Sequence, residues 1–178
     1  MRHKTLQFLA ALLLSVGSGT YASAQTVYGL SSQRDGSPGI YSYELCDTGV
    51  TNKQLVQPIE LTGDDASRRY ESLAGGIYVN GKYYYVRYTQ TMSGYEADGF
   101  WVYDFDSKTT KQIKDLGSVA QGPIFGEEEY DYQTGTMYCG NSFSSAGSTL
   151  QILDPSTGNT TAVGNFTLDR YTEKAQQY

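Results

Sequence analysis

Beyond residue 25 the chain alternates between short runs rich in Tyr, Val, Ile and Thr and polar turn sequences, and apolar positions at helical spacing are nearly absent. The apolar runs include 26–32 (TVYGLSS), 40–45 (IYSYEL), 83–89 (YYYVRYT), 100–105 (FWVYDF), 136–142 (TMYCGNS) and 150–153 (LQIL). Asn-Gly, Thr-Gly and Pro-Ser-Thr-Gly punctuate them every 8–15 residues. That pattern predicts short antiparallel strands in an all-β fold. The most secure local element is a hairpin turning at Asn80-Gly81, because both residues tolerate the positive φ of a two-residue type I′ turn.

The runs also repeat. Tyr28, Tyr85 and Tyr138 lie 57 and 53 residues apart, each at the centre of a similar segment. A second strand follows each one, and then a polar turn and a third strand, expected at 53–61, 111–116 and 159–166. The second and third repeats gain a leading strand at 76–79 and 128–132, whereas the first starts directly at its tyrosine segment. Four antiparallel strands at this period correspond to one propeller blade.

Residues 131–138 (DYQTGTMY) and 150–158 (LQILDPSTG) resemble the repeats of secreted bacterial β-propeller proteins, the WD40-like, YVTN-like and quinoprotein-like families. The resemblance spans about 26–166 and implies architecture, since propellers serve binding, scaffolding and catalysis alike. Repeats are expected at about 26–62, 73–117 and 124–166. A closed propeller takes about four to eight blades, so three blades predict an incomplete or open ring, with unpaired edges that invite self-association. Residues 167–178 read as a C-terminal tail or the start of a missing blade.

Residues 1–24 read as a secretion signal, with a basic head at Arg2 and Lys4, an apolar stretch at 8–16, and Ala22-Ser23-Ala24 as the cleavage site. Nine residues fall short of the roughly 20 needed to cross a bilayer, and no later segment is longer. Membrane spanning is therefore not expected, and localisation should be periplasmic or extracellular. The domain is then 25–166. Losing Arg2 and Lys4 takes the formal charge from −6 to −8, which disfavours nucleic acid, whose affinity rests on Lys and Arg at phosphates. The one histidine, His3, lies in the signal. Mechanisms built on imidazole are thereby excluded. Export would permit a disulfide, but Cys46 and Cys139 fall in non-adjacent repeats, and a bridge needs Cα atoms within about 7 Å.

Candidate chemistry sits in two places. Trp101, Tyr103 and Phe105 form an aromatic strand face, read either as a stacking platform for a sugar or peptide or as packing between blades. Tyr95, in the long connection expected over 91–98, is the better ligand candidate, since binding residues concentrate on loops; 143–148 is the second such loop. Glu127, Glu129 and Asp131 alternate on one strand face. They would suit Ca2+, or carboxylate catalysis without histidine, or simply a solvated acidic surface. No glycine-rich phosphate cradle and no Cys-x-x-Cys occurs. The expectation is a secreted, non-catalytic binding module without an obligatory cofactor, taking a glycan, peptide or partner protein. The alternatives are a carboxylate-dependent glycan hydrolase or lyase that also draws on Asp98 and Asp104, and a fragment of a longer propeller.

Overall fold

The computed structural model describes residues 25–32, 37–47, 49–64, 69–92, 94–120, 124, 128–141 and 148–166. The expected signal, the tail from 167 and most of the 143–148 connection lie outside them. The described residues form twelve strands and no helix. None therefore forms a helix long and apolar enough to cross a membrane.

The first sheet holds β1 (Gln25–Ser31), β2 (Gly39–Cys46) and β3 (Gly49–Pro58) in that order. The second runs β4 (Gly63–Asp64), β5 (Arg69–Val79), β6 (Lys82–Thr91), β7 (Gly94–Asp104) and β8 (Thr109–Ala120). The third runs β9 (Glu128–Asp131), β10 (Thr136–Asn141), β11 (Ser148–Leu153) and β12 (Thr160–Phe166). Every pairing is antiparallel between sequence neighbours.

The second sheet is sandwiched between the other two. One core layer joins its Leu73, Tyr83, Tyr85 and Tyr103 to Ile40 and Ile59. The other joins Val79, Tyr84, Val86, Ala97 and Phe100 to Met137, Cys139, Leu153 and Ile124. Burial on both faces explains why β6 begins without a polar alternation: Tyr83, Tyr84, Tyr85 and Val86 are 2%, 9%, 1% and 0% exposed.

Strands β1, β5 and β9 lie side by side where the three sheets converge. Tyr28 of β1 stacks on Tyr78 of β5 with ring centroids 4.7 Å apart. The Tyr132 hydroxyl, just past β9, donates to the Tyr78 carbonyl at 3.2 Å. Just before Tyr78, β5 bulges at Gly75 and Gly76, both at positive φ (66° and 126°). A side chain at Gly76 would collide with the Tyr83 hydroxyl. The missing Cβ therefore lets a buried tyrosine lie against the strand.

The two ends of the sheets differ in their connections. At one end the strands turn tightly. Asn80 and Gly81 both take positive φ (49° and 78°), as the two-residue turn requires. Asp131 and Asp154 open matching five-residue turns. Each accepts from the N–H two residues on (Gln133, Ser156) and from the hydroxyl three residues on (Thr134, Thr157). Gly135 and Gly158 close them at φ 70° and 69°. These two turns sit within one sheet, each joining strands that are neighbours in it, so the Asp-x-x-Thr-Gly signature marks hairpins. The opposite end carries the crossing from β3 to β4 over 59–62 and the short turn from β6 to β7.

Two expectations change. The connection expected over 91–98 is a tight hairpin, with Thr91 facing Gly94 and strand pairing on both sides. Strand β5 starts seven residues before the expected 76, because its Glu71 and Ser72 pair with β6 without an apolar signature. The three aligned tyrosines do not share one facing. Tyr28 points from the first sheet toward the second and Tyr85 from the second back toward the first, while Tyr138 lies on the face of β10 opposite the buried Met137 and Cys139.

Candidate functional site

The aromatic face of β6 changes character halfway along. Tyr83 and Tyr85 are followed on the same face by Arg87 and the buried Thr89. Opposite them on β5, Glu71 pairs in register with Thr89. The chain leaving β3 crosses this region before entering β4. The Glu71 N–H donates to the Thr62 carbonyl at 2.9 Å, and the Thr62 N–H returns a bond to Glu71 Oε2 at 2.8 Å. Arg87 Nη2 donates to the same Oε2 at 2.7 Å and to the Glu60 carbonyl at 3.1 Å. Its guanidinium lies 5.3 Å from the centre of the Trp101 ring, a cation–π contact. Burial pushes the Glu71 carboxyl up, but the Thr62 N–H and the Arg87 charge outweigh it and hold the group below the usual carboxylate range.

A cavity of about 430 Å³ opens here, lined by Thr62, Gly63, Tyr70, Glu71, Thr89 and Asp98. Asp98 reaches it because β7 carries an extra residue there: Tyr88 pairs with Ala97 and Arg87 with Gly99. The Thr89 hydroxyl donates to Asp98 Oδ2. A second open cavity of about 570 Å³ shares Thr62 and is lined by Ser37, Pro38, Pro58, Ile59, Glu60 and Leu61. The two cavities have Thr62 in common, one with a mainly polar lining and one in which Pro38, Pro58, Ile59 and Leu61 accompany Ser37 and Glu60.

The same bulge separates the sequence-predicted ligand residues. Tyr95, 42% exposed, stands beside Tyr88 in an edge-on ring contact at 5.3 Å and accepts from Gln90 Nε2 at 3.1 Å. It belongs to the face that looks toward the third sheet. Trp101 and Tyr103 are on the other face, with Trp101 half-buried beneath Arg87 and Tyr103 4% exposed in the layer toward the first sheet. The three therefore form no common platform.

Of the acidic run, Glu127 lies outside the described residues. Glu129 is exposed on β9, and Asp131 is engaged in its turn, where the Thr134 hydroxyl and the Gln133 N–H hold it below the usual range. No group of three His, Cys, Asp or Glu side chains among the described residues is placed to hold a metal. Asp104 likewise caps its turn, held low by the Ser107 N–H. The neighbour Glu128 is instead buried at 7% exposure, and the Gly76 N–H donates to its Oε2 at 3.4 Å.

Sequence reasoning missed Glu71, Arg87, Thr89 and Thr62. One signal was available: in a tyrosine-rich strand, Arg87 and Thr89 place polar groups on the face that Tyr83 and Tyr85 make aromatic. Nothing in the sequence singles out Glu71 as their partner. No family model, no curated protein and no solved structure matches the chain.

Proposed function

We propose that this chain is an exported, non-catalytic binding module of propeller-like construction, which takes a glycan, peptide or partner protein in the two-part cleft. The observation that carries the reading is convergence: groups from β5, β6, β7 and the crossing residues Thr62 and Gly63 line one cavity, and Thr62 also borders a second, more apolar one. Concave sites with an apolar surface and a few placed polar groups are the usual form of ligand sites. Three sheets stacked face to face, with β1, β5 and β9 side by side, support the blade reading, with the ring left open. Outer strands such as β3, with exposed Val50 and Leu55, supply edges for self-association.

Glu71 and Asp98 line the same cavity, as carboxylate catalysis would need. A general acid, however, requires a raised pKa, and Glu71 is held low by an ion pair and a backbone N–H. That favours binding over hydrolysis. The test is a screen of the full chain against glycan and peptide arrays, repeated with Asp98→Asn and Glu71→Gln. Loss of the captured ligand in both variants is expected. Unchanged binding in both removes the cleft from the reading.

A further inference from the structure

Resting on the blade reading, we infer that two copies of this chain close one ring, the outer face of the third sheet in each copy packing on the outer face of the first sheet in the other. The pairing registers carry it. Tyr28 faces Ser42 in the first sheet, Tyr84 faces Val102 in the second, and Tyr138 faces Ile152 in the third. Two residues on, Leu30 faces Ile40, Val86 faces Phe100, and Gly140 faces Leu150. In the first sheet these positions point at the second, and in the second they point at the third. In the third they make the outer face: Tyr138, Leu150 and Ile152 join neither core layer, and Ile152 is 42% exposed. The alternate positions point the other way. Tyr83 and Tyr103 of the second sheet meet the first, and Met137 and Leu153 of the third meet the second. Their counterparts in the first sheet, Val27 and Tyr43, lie on its outer face with Tyr41, Leu45 and Leu55. Leu45 and Leu55 are 38% and 43% exposed.

One copy thus carries both halves of a junction that its described residues do not make, and the halves match in kind. Between the first two sheets, aliphatic Leu30 and Ile40 meet aromatic Tyr83, Trp101 and Tyr103. The outer face of the third sheet is aliphatic in the same way, with Leu150 standing where the first sheet has Ile40. The outer face of the first is aromatic, with Tyr41 and Tyr43 where the second has Trp101 and Tyr103. Tyr41 lies beneath Lys53, whose Nζ is 4.3 Å from the ring centre. Gly140 and Gly164 flank Leu150 across the sheet, and open space stands where Gly164 would carry a Cβ, which is room for a ring. Strands β1, β5 and β9 already converge as the inner strands of a ring do. Closed propellers take about four to eight blades. Six is the one multiple of three in that range, so copies of three sheets close as a pair about a two-fold axis, making the same junction twice. Edge pairing along β3 is a different association, since it leaves both outer faces in water.

Sedimentation equilibrium of the full chain is expected to give twice the 19.6 kDa chain mass. Ile152→Glu puts a charge on one outer face and Leu55→Lys on the other. Each alone is expected to raise the dissociation constant at least about 100-fold, because each buries an unpaired charge in both junctions. Mixed in equal amounts, the two variants are expected to recover the dimer, since the mixed pair keeps one unaltered junction and has opposite charges in the other. Asp106→Lys, in the exposed turn after β7, should leave the mass at two chains. Circular-dichroism melts show that each variant is folded. A monomeric wild type, growth past two copies, or a mixture that stays monomeric overturns the inference. A dimer that survives either single variant does so too: survival of Ile152→Glu points to pairing through β3 or between two first sheets, and survival of Leu55→Lys to two third sheets face to face. The binding reading fails separately, in the array screen. A monomer that captures its ligand through Asp98 and Glu71 keeps that reading and loses this one.

Discussion

The Arg87 guanidinium donates to the Glu71 carboxylate at 2.7 Å, and through that bond one side chain ties three parts of the chain together. The same Nη2 holds the Glu60 carbonyl at 3.1 Å, and the planar group covers Trp101. Arg87 thus clasps the segment between the first two sheets onto the face of the second. Lysine keeps the charge but not the planar fork or the ring contact. Arg87→Lys is therefore expected to destabilise the fold by about 1 kcal/mol and Arg87→Ala by about 2 kcal/mol. Urea unfolding followed at Trp101 measures both. Equal stability of wild type and Arg87→Ala would show that the clasp is ornamental.

Acid should loosen the clasp. Glu71 has a folded pKa below its ordinary 4.5, so the unfolded chain takes up its proton first as pH falls. The stability it contributes is complete at neutral pH, begins to fade near 4.5, and is gone once pH drops through the folded value. Asp104, Asp131 and Asp154 are lowered from 3.8 by their turn hydrogen bonds and act in the same direction. Unfolding midpoints measured from pH 7 to pH 3 should fall, and Glu71→Gln should flatten the upper part of that fall. A midpoint that rises on acidification contradicts the assignment.

Two glycines at positive φ separate conformational cost from steric cost. Gly81 has φ 78° and open space where a Cβ would stand, whereas Gly76, at φ 126°, has the Tyr83 ring and hydroxyl there. Gly81→Ala is expected to cost about 1–2 kcal/mol for the left-handed backbone alone. Gly76→Ala should cost about 2–4 kcal/mol, because Tyr83, buried between two sheets, must also move. Chemical denaturation of the two variants in parallel gives the difference.

The sequence disclosed the strands far better than it disclosed the cleft. Composition and turn residues were enough for the hairpin at Asn80-Gly81, the aromatic face of Trp101 and Tyr103, and most of the twelve strands, because each depends on local chemistry. The cleft depends on long-range register. Glu71 meets Arg87 and Thr89 only once β5 pairs with β6, and Asp98 joins them only through a one-residue bulge that alternation cannot reveal. The same bulge put Tyr95 on the face opposite Trp101, although a strict period of two places them together. Glu128 shows the complementary failure. Within an acidic run, the eye goes to the residues expected in solvent, yet the packing of β9 against β5 buries the middle one.

The two cysteines give a direct test of the layering. Cys46 ends β2 exposed, with its thiol 3.3 Å from the Gly49 carbonyl, while Cys139 is 1% exposed in the layer between the second and third sheets. Burial, with the Glu128 charge beside it, pushes the Cys139 thiol up to about 12. A thiolate is the reactive species, so at pH 8 Cys139 is both inaccessible and protonated. A disulfide-exchange reagent should therefore modify one thiol per folded chain rapidly and the second only as the chain unfolds, with Cys46→Ser abolishing the fast phase. If Cys139 reacts as fast as Cys46 in the native protein, the third sheet does not close over the second as described, and the core around Met137 and Leu153 must be drawn differently.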